Sequence, residues 1–317
     1  MTLDDVLIAR KRIAPHVRRT PLVESAWLSE ASGAPVALKL ESLQRSASFK
    51  ARGAFNAILT RFDRAKPPAR IVTASAGNHG RGLAEAAAAF RMPLTVFTPA
   101  DAPHAKLSAI RRLGADLRPD ARDYDEAERM AKAFARETGA DFVSPYNDPD
   151  VVAGAGTVAL EILEDAPDTD AFVVPVGGGG LVAGMGIVVK AIAPAARVIG
   201  VELEASCPFQ TSRRAGRLVP INPGPTLADG LAGNPDPDTI TYALIERTVD
   251  DLVTVSESDL RSALIGLVEH EHLIAEGAGA AAPAGISSRR AAVAGRRAVA
   301  VVSGANIDRS RLAAVIG

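Results

Sequence analysis

One lysine of this sequence stands where its amine could become reactive. Lys50 follows an alternating run at residues 37–41 that is typical of a strand, and it precedes residues 54–59, whose apolar spacing is typical of a helix. Partial burial and the positive end of a helix dipole both lower the pKa of a lysine in such a position. A neutral amine can form a Schiff base with an aldehyde. A solvated lysine at the start of a helix has the same local pattern, so the rest of the chain must decide.

Four consecutive glycines occupy positions 177–180, after a predicted strand at 171–176 and before a helix predicted to begin near Leu181. Glycines let the backbone approach a ligand closely and turn several N–H groups toward one point. With a helix N-terminus behind them, these groups can bind a phosphate. A plain flexible turn is the simpler alternative.

The same glycines also fit a relaxed dinucleotide fingerprint. The pattern is Gly178-x-Gly180-x-x-Ala183, and Glu202 follows the next predicted strand, where a ribose-binding acid would stand. This hypothesis predicts a nicotinamide-dependent oxidoreductase, and the pattern alone does not reject it.

Two further polar loops follow predicted strands. Residues 75–80 read Ser-Ala-Gly-Asn-His-Gly, and their N–H groups and the Ser75 hydroxyl can bind a carboxylate. Ser75 is equally compatible with an N-cap. Ser303 follows the strand predicted at 298–302, where its hydroxyl can bond a ring nitrogen or simply belong to a turn. Because sites in open α/β sheets form at the carboxyl ends of strands, we expect these loops and Lys50 to meet.

Short apolar strands alternate with helices of about a dozen residues along most of the chain. This pattern predicts an α/β fold with twisted, mainly parallel sheets that carry helices on both faces. With 317 residues the chain is long enough for two domains. The longest irregular stretch, 216–237, predicts a functional loop.

Composition excludes several classes of protein. The net charge of −1 gives no global field for nucleic acid or an anionic membrane. No apolar run reaches the length of a membrane span, and the N-terminus carries acids in place of a basic leader. One cysteine, Cys207, excludes an internal disulfide and fits a reducing compartment. We expect a soluble cytoplasmic protein that acts on a small molecule, without a nucleic-acid or membrane partner.

Taken in order, the motifs resemble those of the fold-type II pyridoxal-phosphate enzymes, specifically the serine/threonine dehydratase (threonine ammonia-lyase) and serine racemase group. The resemblance spans nearly the whole chain. It rests on Thr20-Pro21-Leu22, Leu38-Lys39-x-Glu41-x-x-Gln44, Ser48-Phe49-Lys50-x-Arg52-Gly53-Ala54, Ser75-Ala76-Gly77-Asn78-His79-Gly80, Pro175-Val176 with the four glycines, Ala228-Asp229-Gly230 and Ser303-Gly304-x-Asn306. Cysteine synthases of the same fold are less similar, because an aspartate normally follows their lysine.

The resemblance implies a tryptophan-synthase-β-like fold of two domains. Residues 1–66 and 147–317 would form a large cofactor-binding domain. Residues 67–146 would form a small mobile domain that carries the substrate loop from Ser75 to Gly80. The cofactor would be pyridoxal 5'-phosphate (PLP), which makes the nicotinamide hypothesis and a Ser48–Lys50 nucleophile pair less attractive. A homodimer is usual for the family.

The resemblance also implies roles for individual residues. Lys50 would bind the cofactor aldehyde and then act as the base at Cα. The other cofactor contacts would come from Phe49 beside the ring, Asn78 at the phenolic oxygen, Ser303 at the pyridine nitrogen, and Gly177, Gly178, Gly179, Gly180 and Leu181 at the phosphate. The substrate would be contacted by Ser75, Gly77, Asn78, His79 and Gly230.

The implied reaction is β-elimination of water from L-threonine or L-serine, which gives a 2-oxo acid and ammonia. Racemases of the group carry a serine where this chain has Ala76, so racemisation is not expected as the main activity. A 3-hydroxyaspartate ammonia-lyase and an amino-acid racemase of the same fold stay as alternatives. In the resemblance Glu202 matches the first acid of the metal site that some members carry, but Cys207 stands where they have an aspartate. We therefore assign no metal ligands, and a monovalent cation or none near Glu202 stays open. The chain ends soon after the last predicted strand, so we expect a catabolic enzyme without a regulatory domain.

Overall fold

The computed structural model describes the backbone of all 317 residues and every side chain except that of Ala105. Its strands are β1 (Leu22–Glu24), β2 (Val36–Leu40), β3 (Ile71–Ala74), β4 (Leu94–Pro99), β5 (Asp116–Ala121), β6 (Asp141–Phe142), β7 (Ala171–Pro175), β8 (Arg197–Leu203), β9 (Asp251–Val255) and β10 (Ala298–Val302).

The helices are α1 (Leu3–Ile13), α2 (Ala26–Ser32), α3 (Lys50–Phe62), α4 (Asn78–Ala89), α5 (His104–Arg112), α6 (Tyr124–Thr138), α7 (Pro149–Asp165), α8 (Gly180–Ile192), α9 (Pro208–Ala215), α10 (Ile240–Thr248), α11 (Glu257–Glu269), α12 (Gly277–Ser287) and α13 (Arg309–Ile316). Short 3₁₀ turns lie at Glu41–Leu43, Arg45–Ala47 and Asp229–Leu231.

The strands form two sheets. One has six strands in the order β1-β2-β10-β7-β8-β9, and the other has four in the order β5-β4-β3-β6. Within the described ladders β1 pairs antiparallel with β2, and the other neighbours pair parallel. Parallel strands need crossover helices, which bury both faces of a sheet, and β3, β7 and β10 are buried throughout. The predicted α/β fold class is confirmed.

The sequence at 114–117 predicts a short strand, whereas the observed β5 begins at Asp116 and continues to Ala121. Gly114 has a φ of +84° and belongs to the turn that precedes the strand. Pro119 lies within β5, which is at the edge of its sheet, where a missing N–H is tolerated.

A buried ion cluster joins the first helices and strands to α7. Arg52 on α3 donates to Glu41 from Nε and Nη2, at 2.8 Å each, and from Nη1 to Glu161 at 2.7 Å. Lys39 on β2 donates to Glu161 at 2.7 Å and to the carbonyl of Thr20 at 2.7 Å. Hydrogen bonds on all sides are what allow charges to be buried. The cluster therefore anchors α3, the helix whose first residue is Lys50.

Candidate active site

A cavity of about 700 Å³ opens at the carboxyl ends of β3, β7 and β10. A volume of this size suits a small organic ligand. The predicted site residues all line it: Phe49, Lys50, Ser75, Gly77, Asn78, His79, Gly177, Gly178, Gly179, Gly180, Leu181, Gly230 and Ser303. The meeting of separate loops that the strand pattern predicted is thus observed, whereas the role of each residue stays a prediction.

Lys50 begins α3, and its side chain reaches into the cavity. Its Nζ atom donates to the carbonyl of Pro145 at 2.7 Å and lies 5.2 Å from the centre of the Phe49 ring. Burial lowers the pKa of Lys50 to about 8. With that pKa roughly a tenth of the amine is neutral at pH 7, far more than for a solvated lysine, and the neutral form can attack an aldehyde.

The glycine loop connects β7 to α8 and presents free donors to the cavity. Among the described residues, the N–H groups of Gly177, Gly178 and Gly179 donate to no protein acceptor. A Cβ atom on Gly178 would lie 2.3 Å from the ring of Tyr146, so no other residue fits there without moving that ring. Unsatisfied donors before a helix N-terminus are suited to a phosphate.

The loop that follows β3 is held by its own serine. Ser75 Oγ accepts the N–H of Gly77 at 3.2 Å, and Gly77, not Ser75, is the N-cap of α4. The alternative of Ser75 as an N-cap is therefore wrong.

His79 is buried, and its Nε2 lies 3.4 Å from the carbonyl of Val143. Burial, together with the charge of Lys50, lowers the pKa of His79 to about 3. The imidazole is therefore neutral, and it brings no positive charge to the cavity.

The loops that contain Lys50 and Ser303 are bonded to each other. Phe49 donates its N–H to the carbonyl of Ser303 at 3.0 Å, and Ala305 donates to the carbonyl of Ala47 at 2.9 Å. Ser303 Oγ donates to the carbonyl of Ala278 at 3.2 Å. This hydroxyl lines the cavity and can rotate its hydrogen toward a ligand nitrogen.

Two alternative hypotheses from the sequence, a dinucleotide site and a Ser48–Lys50 nucleophile pair, do not fit the structure. Glu202 is fully buried, and it accepts the N–H groups of Phe209 at 2.9 Å and Gln210 at 2.7 Å, so it is not available to a ribose. Ser48 is fully buried and is absent from the described cavity lining, so it cannot serve with Lys50 as a nucleophile.

The sequence gives Tyr146 no role, and it gives Glu276 two alternatives, a carboxylate presented at the start of a helix or a cap of that helix. Tyr146 lies against the glycine loop, and its hydroxyl accepts the N–H of Asp236 at 3.0 Å. Glu276 accepts from Asn78 Nδ2 at 2.5 Å. For Tyr146 the available signal was an aromatic residue, rare in this chain, close after a predicted strand. For Glu276 it was a carboxylate placed before a glycine-rich helix.

No group of three histidine, cysteine or acidic side chains in the described part of the chain is placed to hold a metal ion. Nor does any described helix have the length and apolar character needed to cross a membrane.

The donor set fits one cofactor in particular. An amine of lowered pKa suits an aldehyde, three free N–H groups suit a phosphate, and a serine hydroxyl suits a ring nitrogen; PLP carries all three groups. A family model of pyridoxal-phosphate dependent enzymes matches residues 13–304. The chain belongs to this family. PLP is its cofactor, as the motifs predicted.

Named relatives of this PLP enzyme include lyases and a racemase. It is 42% identical over 310 residues to an L-threonine ammonia-lyase of Thermotoga maritima, covering 97% of this chain and 76% of the relative. It is 36% identical over 312 residues to an L-threo-3-hydroxyaspartate ammonia-lyase of a Pseudomonas species, covering 98% of this chain and 97% of that one. The crystal structure of a serine racemase from Dictyostelium discoideum superposes with a TM-score of 0.90 at 31% identity, covering 97% of this chain and 99% of that chain. These similarities confirm the predicted PLP fold type II.

Proposed function

We propose that this protein is a PLP-dependent ammonia-lyase that eliminates water from L-threonine or L-serine, releasing a 2-oxo acid and ammonia. One observation carries the proposal: the partly neutral amine of Lys50 shares a cavity with the free N–H groups that precede α8. The identity of 42% to an L-threonine ammonia-lyase agrees with this activity.

Bound PLP supplies an electron sink that makes the Cα proton of an amino acid removable. Lys50 would hold the cofactor covalently and, once displaced by the amino group of the substrate, would take the Cα proton at Nζ. Partial burial of Lys50 favours this step, because the lowered pKa increases the neutral fraction of the displaced amine.

Ser303 would bond the pyridine nitrogen without protonating it, since a serine hydroxyl is a very weak acid. An unprotonated ring is the weaker electron sink, so negative charge at Cα would persist only briefly. This favours rapid loss of the β-hydroxyl as water over slower reactions such as transamination.

The loop from Ser75 to His79 would bind the substrate carboxylate. Its contribution is N–H groups at the start of α4 and the Ser75 hydroxyl, because the His79 ring is neutral. Gly230 lines the same cavity and would leave room for the substrate on the other side.

The charges of the cavity wall favour a substrate with one carboxylate. The acids on the wall are Asp101, Asp125, Asp229, Glu276 and Asp308, against the bases Lys50, Arg81, Lys106 and Arg112. Lys106 is already paired with Asp229 at 2.8 Å. With no surplus of positive charge, the wall suits threonine or serine better than 3-hydroxyaspartate.

Racemisation would need a second group that returns a proton to the opposite face of Cα. Ala76 lines the cavity where the resemblance places the racemase serine, and a methyl group has no proton to exchange. Lys50 would therefore exchange protons on only one face of the substrate Cα, and elimination would be the main outcome.

We further propose that residues 67–146 move as a small domain over the large one, formed by 1–66 and 147–317. The four-stranded sheet lies wholly within 67–146. Lys106 on α5 reaches across the cavity mouth to Asp229, as a contact that forms on closure would do.

The quaternary structure and compartment are also proposals. We propose a cytoplasmic homodimer, based on the family resemblance and on the single cysteine. Light scattering of the purified protein tests the dimer directly.

The activity is tested by incubating purified protein and PLP with L-threonine, L-serine, L-threo-3-hydroxyaspartate and their D-enantiomers. Release of 2-oxo acid and ammonia is expected from the first two amino acids. The Lys50→Ala variant, loaded with PLP, is the matched control and should release neither. Absence of 2-oxo acid from the whole panel, with PLP bound, would contradict the proposal.

A further inference from the structure

Four polar side chains form a continuous hydrogen-bonded chain along one wall of the cavity. Arg81 Nη1 donates to Asn306 Oδ1 at 2.5 Å, and Asn306 Nδ2 donates to Asn78 Oδ1 at 2.6 Å. Asn78 Nδ2 then donates to Glu276 Oε1 at 2.5 Å. The four residues come from α4, the loop after β10 and the residue before α12, and they all line the cavity.

The two ends of this chain set its direction. A guanidinium can only donate hydrogen bonds, and a carboxylate can only accept them. Arg81 therefore requires the oxygen of the Asn306 amide, which leaves its nitrogen for Asn78. Glu276 requires the nitrogen of the Asn78 amide. If the Asn78 amide turned over, its oxygen would face the Glu276 carboxylate, and its nitrogen would face the Asn306 nitrogen.

We infer that Glu276 is a positioning residue. Together with Asn306 it fixes the orientation of the Asn78 amide, so that one hydrogen of the Asn78 nitrogen can point to the phenolic oxygen of PLP. Asn78 Nδ2 carries two hydrogens, and Glu276 takes one of them. This inference rests on the proposed function, because it assumes PLP in the cavity and a role for Asn78 at its ring.

The surroundings of Glu276 are built to keep it there. A Cβ atom on Gly304 would lie 2.1 Å from Glu276 Oε1, so only glycine at that position leaves room for the carboxyl group. The N–H of Glu276 donates to the carbonyl of Gly304 at 3.1 Å. Asn306 also donates to the carbonyl of Ser46, at 2.7 Å, and so joins this chain to the loop that carries Lys50.

The charges around Glu276 come from three other elements. Burial raises the pKa of Glu276 to about 7, and the negative charge of Asp229 raises it too. The hydrogen bond from Asn78 and the positive charges of Lys106 and Arg311 lower the pKa and so limit the shift. A protonated Glu276 could also donate a hydrogen, but Arg81 fixes the Asn306 amide in either case, and the Asn306 nitrogen still requires the Asn78 oxygen. The Asn78 nitrogen therefore faces Glu276 in both protonation states.

The test is the affinity and absorption spectrum of bound PLP in Glu276→Ala, measured by dialysis against PLP and by near-visible spectroscopy. We expect the Kd to rise by about tenfold, as for loss of one buried charged hydrogen bond, and the spectrum to shift. The matched control is Glu85→Ala on α4, whose carboxylate pairs with Arg45. Its Kd should stay within about twofold of the starting protein.

Two further variants separate positioning from mere support of the fold. In an Asn78→Ala background, Glu276→Ala should have no further effect on the Kd or the spectrum. Asn306→Asp keeps the shape of the side chain and can still accept from Arg81, but it cannot donate to Asn78. Asn306→Asp should shift the spectrum of bound PLP as Glu276→Ala does. This variant keeps the inference testable even if Glu276→Ala does not fold.

The outcomes are distinct from those of the proposed function. Unchanged PLP affinity and spectrum in Glu276→Ala and Asn306→Asp, in a protein whose unaltered form releases 2-oxo acid, would overturn the inference alone. A full, additive effect of Glu276→Ala in the Asn78→Ala background would overturn it as well. Lack of 2-oxo acid release by the unaltered protein would instead contradict the proposed function.

Discussion

Lys50 donates a hydrogen bond of 2.7 Å to the carbonyl oxygen of Pro145, and no carboxylate of the described residues lies within salt-bridge distance of its Nζ. A partly buried ammonium without a counter-ion loses part of its hydration and gains only a neutral acceptor in return. This is why the pKa of Lys50 falls to about 8. The reactivity of the site therefore comes from burial, and not from a neighbouring base.

The first prediction concerns the pH at which PLP attaches. Only the neutral amine attacks an aldehyde, so the attachment rate of the cofactor-free protein should rise with pH and level off above about 8. Stopped-flow absorbance after mixing with PLP measures this rate. A rate that keeps rising toward pH 10 would show an ordinary, solvated lysine.

The second prediction concerns the buried ion cluster beneath α3. Glu161→Gln removes the charge that faces Arg52 and Lys39, and it should lower the free energy of unfolding by about 3 kcal/mol or more. Glu164→Gln on the same helix is the control, because Glu164 pairs with Arg10 and Arg19 at the surface and should cost less than about 1 kcal/mol. Urea unfolding measures both; equal losses would contradict this account.

The same cluster predicts a dependence of stability on pH. Burial alone would raise the pKa of Glu161, but the hydrogen bonds and charges of Arg52 and Lys39 lower it below its ordinary value. A carboxyl group whose pKa is lower in the folded state stabilises the fold above its unfolded pKa of about 4.5 and loses this contribution as the pH falls further. Glu161→Gln should therefore flatten the loss of stability below pH 4.5, as urea unfolding at several pH values would show.

The third prediction concerns Ala47, which lies in the 3₁₀ turn that precedes Lys50. Its φ is +55°, in the left-handed region that disfavours a side chain. Ala47→Gly should relieve this cost and raise the free energy of unfolding by up to about 1 kcal/mol. The greater conformational entropy of glycine in the unfolded chain offsets part of that gain. Ala88→Gly, on the exposed side of α4, should instead destabilise by about 1 kcal/mol. Thermal unfolding distinguishes the two signs.

The fourth prediction concerns the stereochemical outcome. Ala76→Ser adds a hydroxyl to the cavity wall where the resemblance places the racemase serine. It should make the enzyme produce D-serine from L-serine, while the unaltered enzyme gives almost only 2-oxo acid. Chiral chromatography of the products measures the ratio. No D-serine from a variant that still eliminates water would show that Ala76 is not what prevents racemisation.

Much of the fold could be predicted from hydrophobic pattern alone. The apolar runs at 71–74 and 298–302 predict buried strands, and the amphipathic pattern at about 124–138 predicts a helix. The observed β3, β10 and α6 have these bounds. The carboxyl ends of strands then placed the candidate loops around one cavity. The start of α12 at the Glu276–Ala280 motif was predicted, whereas α9, α10, α11 and α13 were not.

The candidate site was harder to predict where it depends on distant partners. Asn78 and Glu276 are bonded although 198 positions separate them, and no local pattern carries such a pairing. Lys39, Glu41 and Arg52 were markers of a resemblance in the sequence, and the structure gives them a physical role in the ion cluster. The left-handed backbone at Ser46 and Ala47 had no signal, since neither residue is glycine.

The central claim is that Lys50 carries the cofactor, and one measurement tests it directly. The purified protein, loaded with PLP, is reduced with borohydride, digested and examined by mass spectrometry. The added mass of the reduced cofactor should lie on the peptide that contains Lys50 and should be absent from that peptide without reduction. Cofactor mass on another lysine, or none on the Lys50 peptide although PLP is bound, would contradict the account.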